Sequence, residues 1–222
     1  TAGLAITSFT DEEYTAIETD LHTYTNDYRN GTSYKDEYSS DDATGLTSEQ
    51  YTALKQKMLK SVYQNGGFYV GKYETGIKYT PKTYGSKSKA PTEKPVIKQN
   101  AYPYNYVTCS QAQALASGMV KSENYTSSLM FGVQWDLVLK YLETKGTAQE
   151  DLKTNSTSWG NYQNNLWNIT NENSKYKNGS GWTSGAYGTK SSNSDIILST
   201  GASDTFSKQG IYDLAGNVNE WT

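Results

Sequence analysis

The chain must build much of its core from aromatic rings. Leu, Ile and Val are sparse, whereas Tyr occurs 20 times and Trp 5 times in 222 residues. Both residues bury large apolar areas, yet each carries a polar tip that must meet a partner or water. Such a chain is predicted to fold with short elements and long irregular segments rather than large sheets. Its length admits one large domain or two small ones.

Charge and cysteine usage exclude several classes. Twenty basic and 23 acidic residues leave a net charge of −3. No basic block or stripe stands out, which argues against a nucleic-acid partner. The locally basic stretch Lys82–Lys98 holds two of the four prolines and reads as an exposed loop. No apolar run approaches the ~20 residues of a membrane span, and no secretory leader is visible. The first residue is Thr, so the natural start is expected upstream. One cysteine, Cys109, rules out an internal disulfide. With the Ser/Thr/Asn/Tyr-rich texture, this points to an extracellular, cell-surface or virion setting, a reducing cytoplasm being the alternative.

Four helices carry start signals. In FTDEEYTAIETDLHTYT, Thr10 and Glu13 form a capping box. Phe9 can staple onto Tyr14, and Tyr14, Ile17, Leu21 and Tyr24 form a stripe. In LTSEQYTALKQKMLKSVYQNGG, Thr47 and Gln50 repeat the box, Tyr51, Leu54, Met58, Leu59 and Val62 line one face, and Asn65-Gly66 supplies a left-handed stop. In VTCSQAQALASGM, Thr108 and Gln111 cap a helix whose Ala112, Leu115, Ala116 and Met119 share a face. In SSLMFGVQWDLVLKYLETKG, Trp135, Val138, Leu139 and Leu142 make the stripe and Gly146 the stop. GGFYVGKYETG alternates as a strand, SDIILST is a short strand, and IYDLAGNVNEWT reads as strand, tight turn, strand. Residues 26–45 read as polar loop. So do residues 150–194, where Trp159, Trp167 and Trp182 interrupt a polar run.

The tail GIYDLAGNVNEWT resembles the G-x-Y-D-x-x-G-N-V-x-E-W segment of the formylglycine-generating-enzyme (sulfatase-modifying) family, a branch of the C-type-lectin-like fold. GGFYVGKYETG is similar to that family's early strand. PVIKQNAYPYNYVTCSQAQALASGM resembles its next strand-and-helix unit, and SSLMFGVQWDLVLKYLE resembles a divergent form of its R-L-P-T-E helix. The likeness covers residues 66–222; residues 1–65 lie outside it.

The resemblance implies an α+β fold of the C-type-lectin-like type over residues 66–222, with the C-terminal part of that domain missing from the chain. Residues 1–65 would be a helical stalk or docking layer. In the family the G-N-V-x-E-W strand is followed by further strands, so a C-terminal continuation or a neighbouring subunit is expected to complete the sheet edge. The family's two copper-binding, oxidising cysteines lie beyond the matched part, so no copper site is assignable. Cys109 stands where the family places Trp, the R-L-P-T-E run is absent, and Asn219 replaces a Trp. These departures turn the expectation from catalysis towards a ligand-binding or adhesion domain. It would be akin to retroelement-diversified variable proteins, displayed on a bacterial surface, a pilus or a phage tail, with a protein or glycan ligand. The alternatives are a protein-cysteine oxidase and a structural fibre or virion subunit.

Candidate site residues follow. Trp159, Trp167, Trp182 and Tyr187 could form a sugar-stacking platform; the other reading makes them loop anchors in an aliphatic-poor core. The resemblance implies that the turn at Asn217, Val218 and Glu220 can hold a calcium ion through side-chain and carbonyl oxygens; alternatively Asn217 satisfies turn amides. Cys109 at a helix start could be a reactive thiol or a packing residue. His22 reads as a surface residue of the first helix, and one His with one Cys excludes a zinc site. Asp136 and Asp213 as an acid pair have nothing in the sequence to bring them together.

Overall fold

The structure, a computed structural model, describes residues 9–28, 38 and 44–222. It mixes helices and short antiparallel strands, in keeping with the α+β expectation. Five α-helices occur among the described residues: α1 (Asp11–Tyr24), α2 (Ser48–Asn65), α3 (Cys109–Ser117), α4 (Gly132–Thr144) and α5 (Gln149–Lys153).

The three predicted capping boxes form. The Thr10, Thr47 and Thr108 hydroxyls accept from the N3 backbone, and Glu13, Gln50 and Gln111 reach back to the cap N–H. Phe9 lies 5.7 Å from Tyr14, ring to ring, closing the staple. Gly66 ends α2 in the left-handed region at φ 74°. Within the α1 stripe, Ile17 is buried while Tyr24 is exposed. Helix α4 starts at Gly132 without a side-chain acceptor at its cap, Phe131, whose N–H donates to Gln134 Oε1 at 3.0 Å.

Helix α4 is the central beam. Phe131 and Val133 at its start pack with Ile17 of α1 and Tyr51, Met58 and Leu59 of α2. Its Val138 and Leu142 pack with Trp159 and Ala215. Tyr28 donates to Glu143 at 2.8 Å, and Lys140 pairs with both Asp27 and Glu143. The described part of residues 1–65 is thus an integral layer on α4 rather than a separate stalk. The loop expected over residues 26–45 falls mostly outside the described residues.

The strands are short. β1 (Thr75–Ile77) lies between β2 (Pro95–Ile97) and β3 (Tyr102–Pro103), antiparallel to both. The strand predicted over 66–76 therefore begins only at Thr75, and Phe68 and Val70 precede it without a sheet partner among the described residues. The sequence predicts a loop over 150–194, but this region holds α5 and four strands: β4 (Trp167–Ile169), β5 (Lys175–Asn178), β6 (Gly181–Ser184) and β7 (Gly188–Lys190). β5 sits between β6 and β8 (Ile196–Leu198), the strand predicted in SDIILST, and β4 pairs with β7. Trp167, Ile169, Ile196, Leu198, Ala202 and Phe206 form the core there. Last come β9 (Ser207–Lys208) and β10 (Ile211–Tyr212), a two-stranded hairpin. The second tail strand expected after the turn is absent: residues 213–222 have no strand assignment.

One side chain joins these pieces. Asn217 Oδ1 accepts from Leu198 N–H at 2.8 Å and from Asn161 Nδ2 at 2.9 Å. Its Nδ2 donates to Leu198 O at 3.1 Å and to Glu74 Oε2 at 2.9 Å. Its carboxamide thereby pairs with both backbone groups of Leu198, as a strand residue would. Asn161 in turn donates to Ile196 O and accepts from Trp167 Nε1. The segments meet so closely that a Cβ at Gly160 would sit 2.4 Å from Ala215 O, and one at Gly216 would sit 2.5 Å from Asn161 O.

Asn217→Ala should remove a partner from both backbone groups of Leu198, leave the Glu74 carboxyl without its amide donor, take one bond from Asn161, and lower unfolding stability by about 2–4 kcal/mol. Asn217 has φ 71°, so Asn217→Gly separates side chain from backbone. In urea unfolding, Gly should be nearly as destabilising as Ala; near-wild-type stability for Gly would show that the left-handed backbone, not the amide, is what matters.

Candidate functional site: an apolar groove with an acidic floor

A groove of about 1400 Å³ runs between α2, α3, the 67–74 segment and the 211–222 tail. Leu54 and Met58 of α2 form one wall, Phe68 and Val70 the next, and Ala112, Leu115 and Ala116 of α3 with Met119 the opposite one. The shared apolar face of α3 is therefore not sealed in a core; its residues stay half-buried and look onto the groove. Trp135, predicted as part of the α4 stripe, also lines it, while Val138, Leu139 and Leu142 are buried. Trp221 in the tail is half-exposed and donates to Val107 O at 3.2 Å, so the tail lies along the groove.

The floor is acidic. Glu74 sits just before β1; Oε2 accepts from Asn217, while Oε1 is sealed from solvent with no hydrogen-bond partner among the described residues. Burial pushes Glu74 well above the usual carboxylate range, and repulsion from Asp213 and Glu220 adds to this. Asp213 is 4 % exposed, adopts φ 59°, and accepts from Gly201 N–H at 2.5 Å. Burial raises it to about 6 against the pull of that hydrogen bond. Glu220 is displaced in the same upward direction by its groove surroundings and Asp213, but its side chain is exposed, so solvent screens much of that shift. Among the described residues no lysine, arginine or histidine forms an ion pair with any of the three.

The residues singled out in the sequence are dispersed. Trp159 and Trp167 are buried, at 3 % and 8 % exposure, and cannot stack on an incoming sugar. Trp159 packs with Val138, Leu142 and Ala215, and Trp167 with Phe206 and Tyr187. Trp182 lies edge-on to Tyr102 at 4.9 Å, and Tyr187 is wedged between Trp167 and Tyr176. Trp159 and Trp167 thus serve as core residues, Trp167 and Trp182 lie on strands, and the half-buried Trp182 and Tyr187 pack edge-on against different rings. Asn217 spends both oxygen lone pairs and both amide hydrogens on protein partners. A calcium ion at this turn would have to draw on carboxylates and backbone carbonyls instead. Val218 and Glu220 line the groove. Among the described residues no group of three or more His, Cys, Asp and Glu is arranged to hold a metal ion.

Cys109 is the first residue of α3 and is half-buried. His22 is half-buried on α1 and pairs with Glu18 at 3.3 Å. Asp136 is buried in α4, and the acidic neighbours of Asp213 are Glu74 and Glu220. The sequence reading missed Glu74, whose one local signal was an acid set among the apolar and aromatic residues of FYVGKYETG.

No protein-family model matches the chain, and no curated protein or solved structure is detectably similar to it. No described helix is long and apolar enough to cross a membrane.

The raised acids make stability depend on pH in a definite direction. An acid whose folded pKa lies above its unfolded value keeps a proton in the native state that the unfolded chain has lost. Stability therefore falls as pH rises through the interval between the two values. For the buried Asp213 that interval runs from 3.8 to about 6; Glu74 acts in the same sense, and the exposed Glu220 adds little through solvent screening. Glu93 and Asp151 have lowered values and act oppositely, losing stability as the medium becomes more acidic than their ordinary range. Urea-unfolding stability should peak near pH 5 and decline towards pH 8. Asp213→Asn tolerates the left-handed backbone and keeps an oxygen for Gly201 N–H, so it should remove on the order of 1–1.5 kcal/mol of that decline, all of it below about pH 6. A wild-type profile flat from pH 5 to 8 would contradict this account of the floor.

Proposed function

We propose that the chain is a non-catalytic ligand-binding or adhesion domain of the C-type-lectin-like kind. It would be displayed outside the cell or on a virion, with a polypeptide ligand held in the groove. The observation carrying this reading is the groove itself. A soluble fold seldom leaves so large an apolar concavity open unless it takes a ligand or partner. Its volume exceeds the ~300–1000 Å³ usual for small-molecule pockets, a size that suits an extended chain, and its walls mix aliphatic and thioether side chains with aromatic ones such as Phe68 and Trp135. That favours a peptide over a sugar, as does the use of Trp159 and Trp167 as core anchors.

The non-catalytic reading is supported by what the floor holds. None of its three acids forms an ion pair with a described histidine, arginine or lysine. The half-buried Cys109 and His22 sit on different helices, and His22 is engaged with Glu18.

A random ten-residue peptide display library selected on the folded chain should yield binders. Leu115→Asp on the groove wall should weaken them at least tenfold without changing the circular dichroism spectrum or the cooperativity of melting. Met119→Gln, a milder change on the same wall, should weaken them in the same sense and covers the case in which Leu115→Asp misfolds. A library yielding no binders, or binders indifferent to both changes, would remove the basis for this reading.

A further inference from the structure

We propose that residues 218–222 are a strap lying in the groove, latched by Trp221, and that this strap swings aside when a polypeptide enters. This rests on the groove being the ligand site and specifies how that site opens.

The strap is held firmly at one end only. Asn217 fixes its start through four side-chain hydrogen bonds, and the Asn217 N–H donates to Asn161 O at 2.9 Å. Gly216 and Asn217 are both left-handed, at φ 73° and 71°, so the chain turns sharply as it leaves the junction. The regular bonding stops there. Val218 is half-buried and residues 219–222 are exposed. None of the five belongs to a helix or strand, and none of their backbone groups pairs with another backbone group among the described residues. A segment with so few bonds and so little burial opens far more readily than the fold as a whole.

The other end is held by the Trp221 indole. Its Nε1 donates to Val107 O, just before α3, at 3.2 Å, while the side chain stays 49 % exposed. A neutral hydrogen bond that water can replace is a weak latch. All five strap residues line the groove, so the strap takes up room that a ligand would need.

The far seat of the strap is imperfect. Thr222 lines a small cavity together with Tyr51 and Leu54 of α2, Gln113 of α3 and Phe131. Gln113 is 6 % exposed, and its Oε1 is sealed from solvent with no hydrogen-bond partner among the described residues. The strap leaves this acceptor unused, whereas a backbone N–H of an entering polypeptide can satisfy it. A ligand shifts a conformational equilibrium only through an interaction that one state offers and the other does not. Gln113 supplies that difference, and the strap acts as a replaceable placeholder.

The test compares the full chain with Trp221→Phe, which keeps a ring and loses the indole N–H, and with a chain ending at Asn219, which keeps the junction and loses the latch. Two probes are used: anilinonaphthalene sulfonate, an apolar dye that needs no polypeptide site, and the peptides selected on the folded chain. Both variants should bind more dye, with melting as cooperative as before, and Leu115→Asp should cancel that gain. Both should speed peptide association roughly three- to tenfold, the gain from releasing one hydrogen bond, with dissociation little changed. Weaker binding through faster dissociation would make the strap a wall of the site, and unchanged rates would make it a bystander; either overturns the proposal. Should the shortened chain fail to fold, Trp221→Phe decides by the same signs. A dye gain without any peptide binder would keep the strap and remove the polypeptide reading. Peptide binders lost on Leu115→Asp but indifferent to both strap changes would remove the strap and leave the groove reading standing.

Discussion

The carboxamide of Asn217 is the constraint on which the arrangement depends. Four segments distant in sequence meet at it: Asn161, the β8 strand at Leu198, Glu74 before β1, and the tail itself. A backbone strand would need several residues to make such a junction. One side chain in the left-handed region makes it here because its amide presents a peptide-like acceptor and two donors. The parallel bridge between Asn161 and Gly216 brings the two backbones close enough to hold the amide in register. Every polar atom of Asn217's carboxamide is thereby satisfied, which is the condition under which a buried polar network stabilises rather than weakens a fold.

The helical layer was legible because its signals are local. Thr10, Thr47 and Thr108 each stand three residues before a Glu or Gln, and that spacing sets a helix start whatever the tertiary surroundings. The strands of residues 167–190 were not legible. KYKN and GWTS carry no two-residue apolar alternation, and their pairing is made by contacts across the sheet. Lys190 shows how far burial can depart from residue type. It is 2 % exposed, donates to the carbonyls of Tyr162 and Gln163, and lies over the Trp167 ring. No single-chain pattern marks a lysine for the interior. The β4–β7 register that sets it opposite Trp167 does.

The candidate site was half visible. Glu220 and Val218 were singled out for their place after the tight turn, and both line the groove. Asn217 was singled out with them, but its role proved structural, the alternative the turn chemistry had left open. The aromatic residues divide for a physical reason. A ring in a polar run is favourable either as an anchor or as a contact surface, and only the depth of the neighbouring core decides between them. With few aliphatic residues to spend, this chain buries Trp159 and Trp167 and leaves Tyr69, Tyr125 and Trp221 exposed beside the groove. The apolar face of α3 carried the reverse ambiguity. Its spacing announces burial, yet nothing within the helix says what will cover it.

Fold and site are coupled through Glu74. The same Asn217 amide that closes the junction holds one oxygen of Glu74 and turns the other away from water. The network that orders the protein therefore also fixes a carboxyl whose protonated form burial favours. Relaxing Glu74 outwards would break its bond to Asn217. Protonating it removes the charge, leaves Oε2 able to accept from Asn217, and relieves the repulsion from Asp213 and Glu220. The junction's geometry thereby biases an acid on the groove floor towards its neutral form.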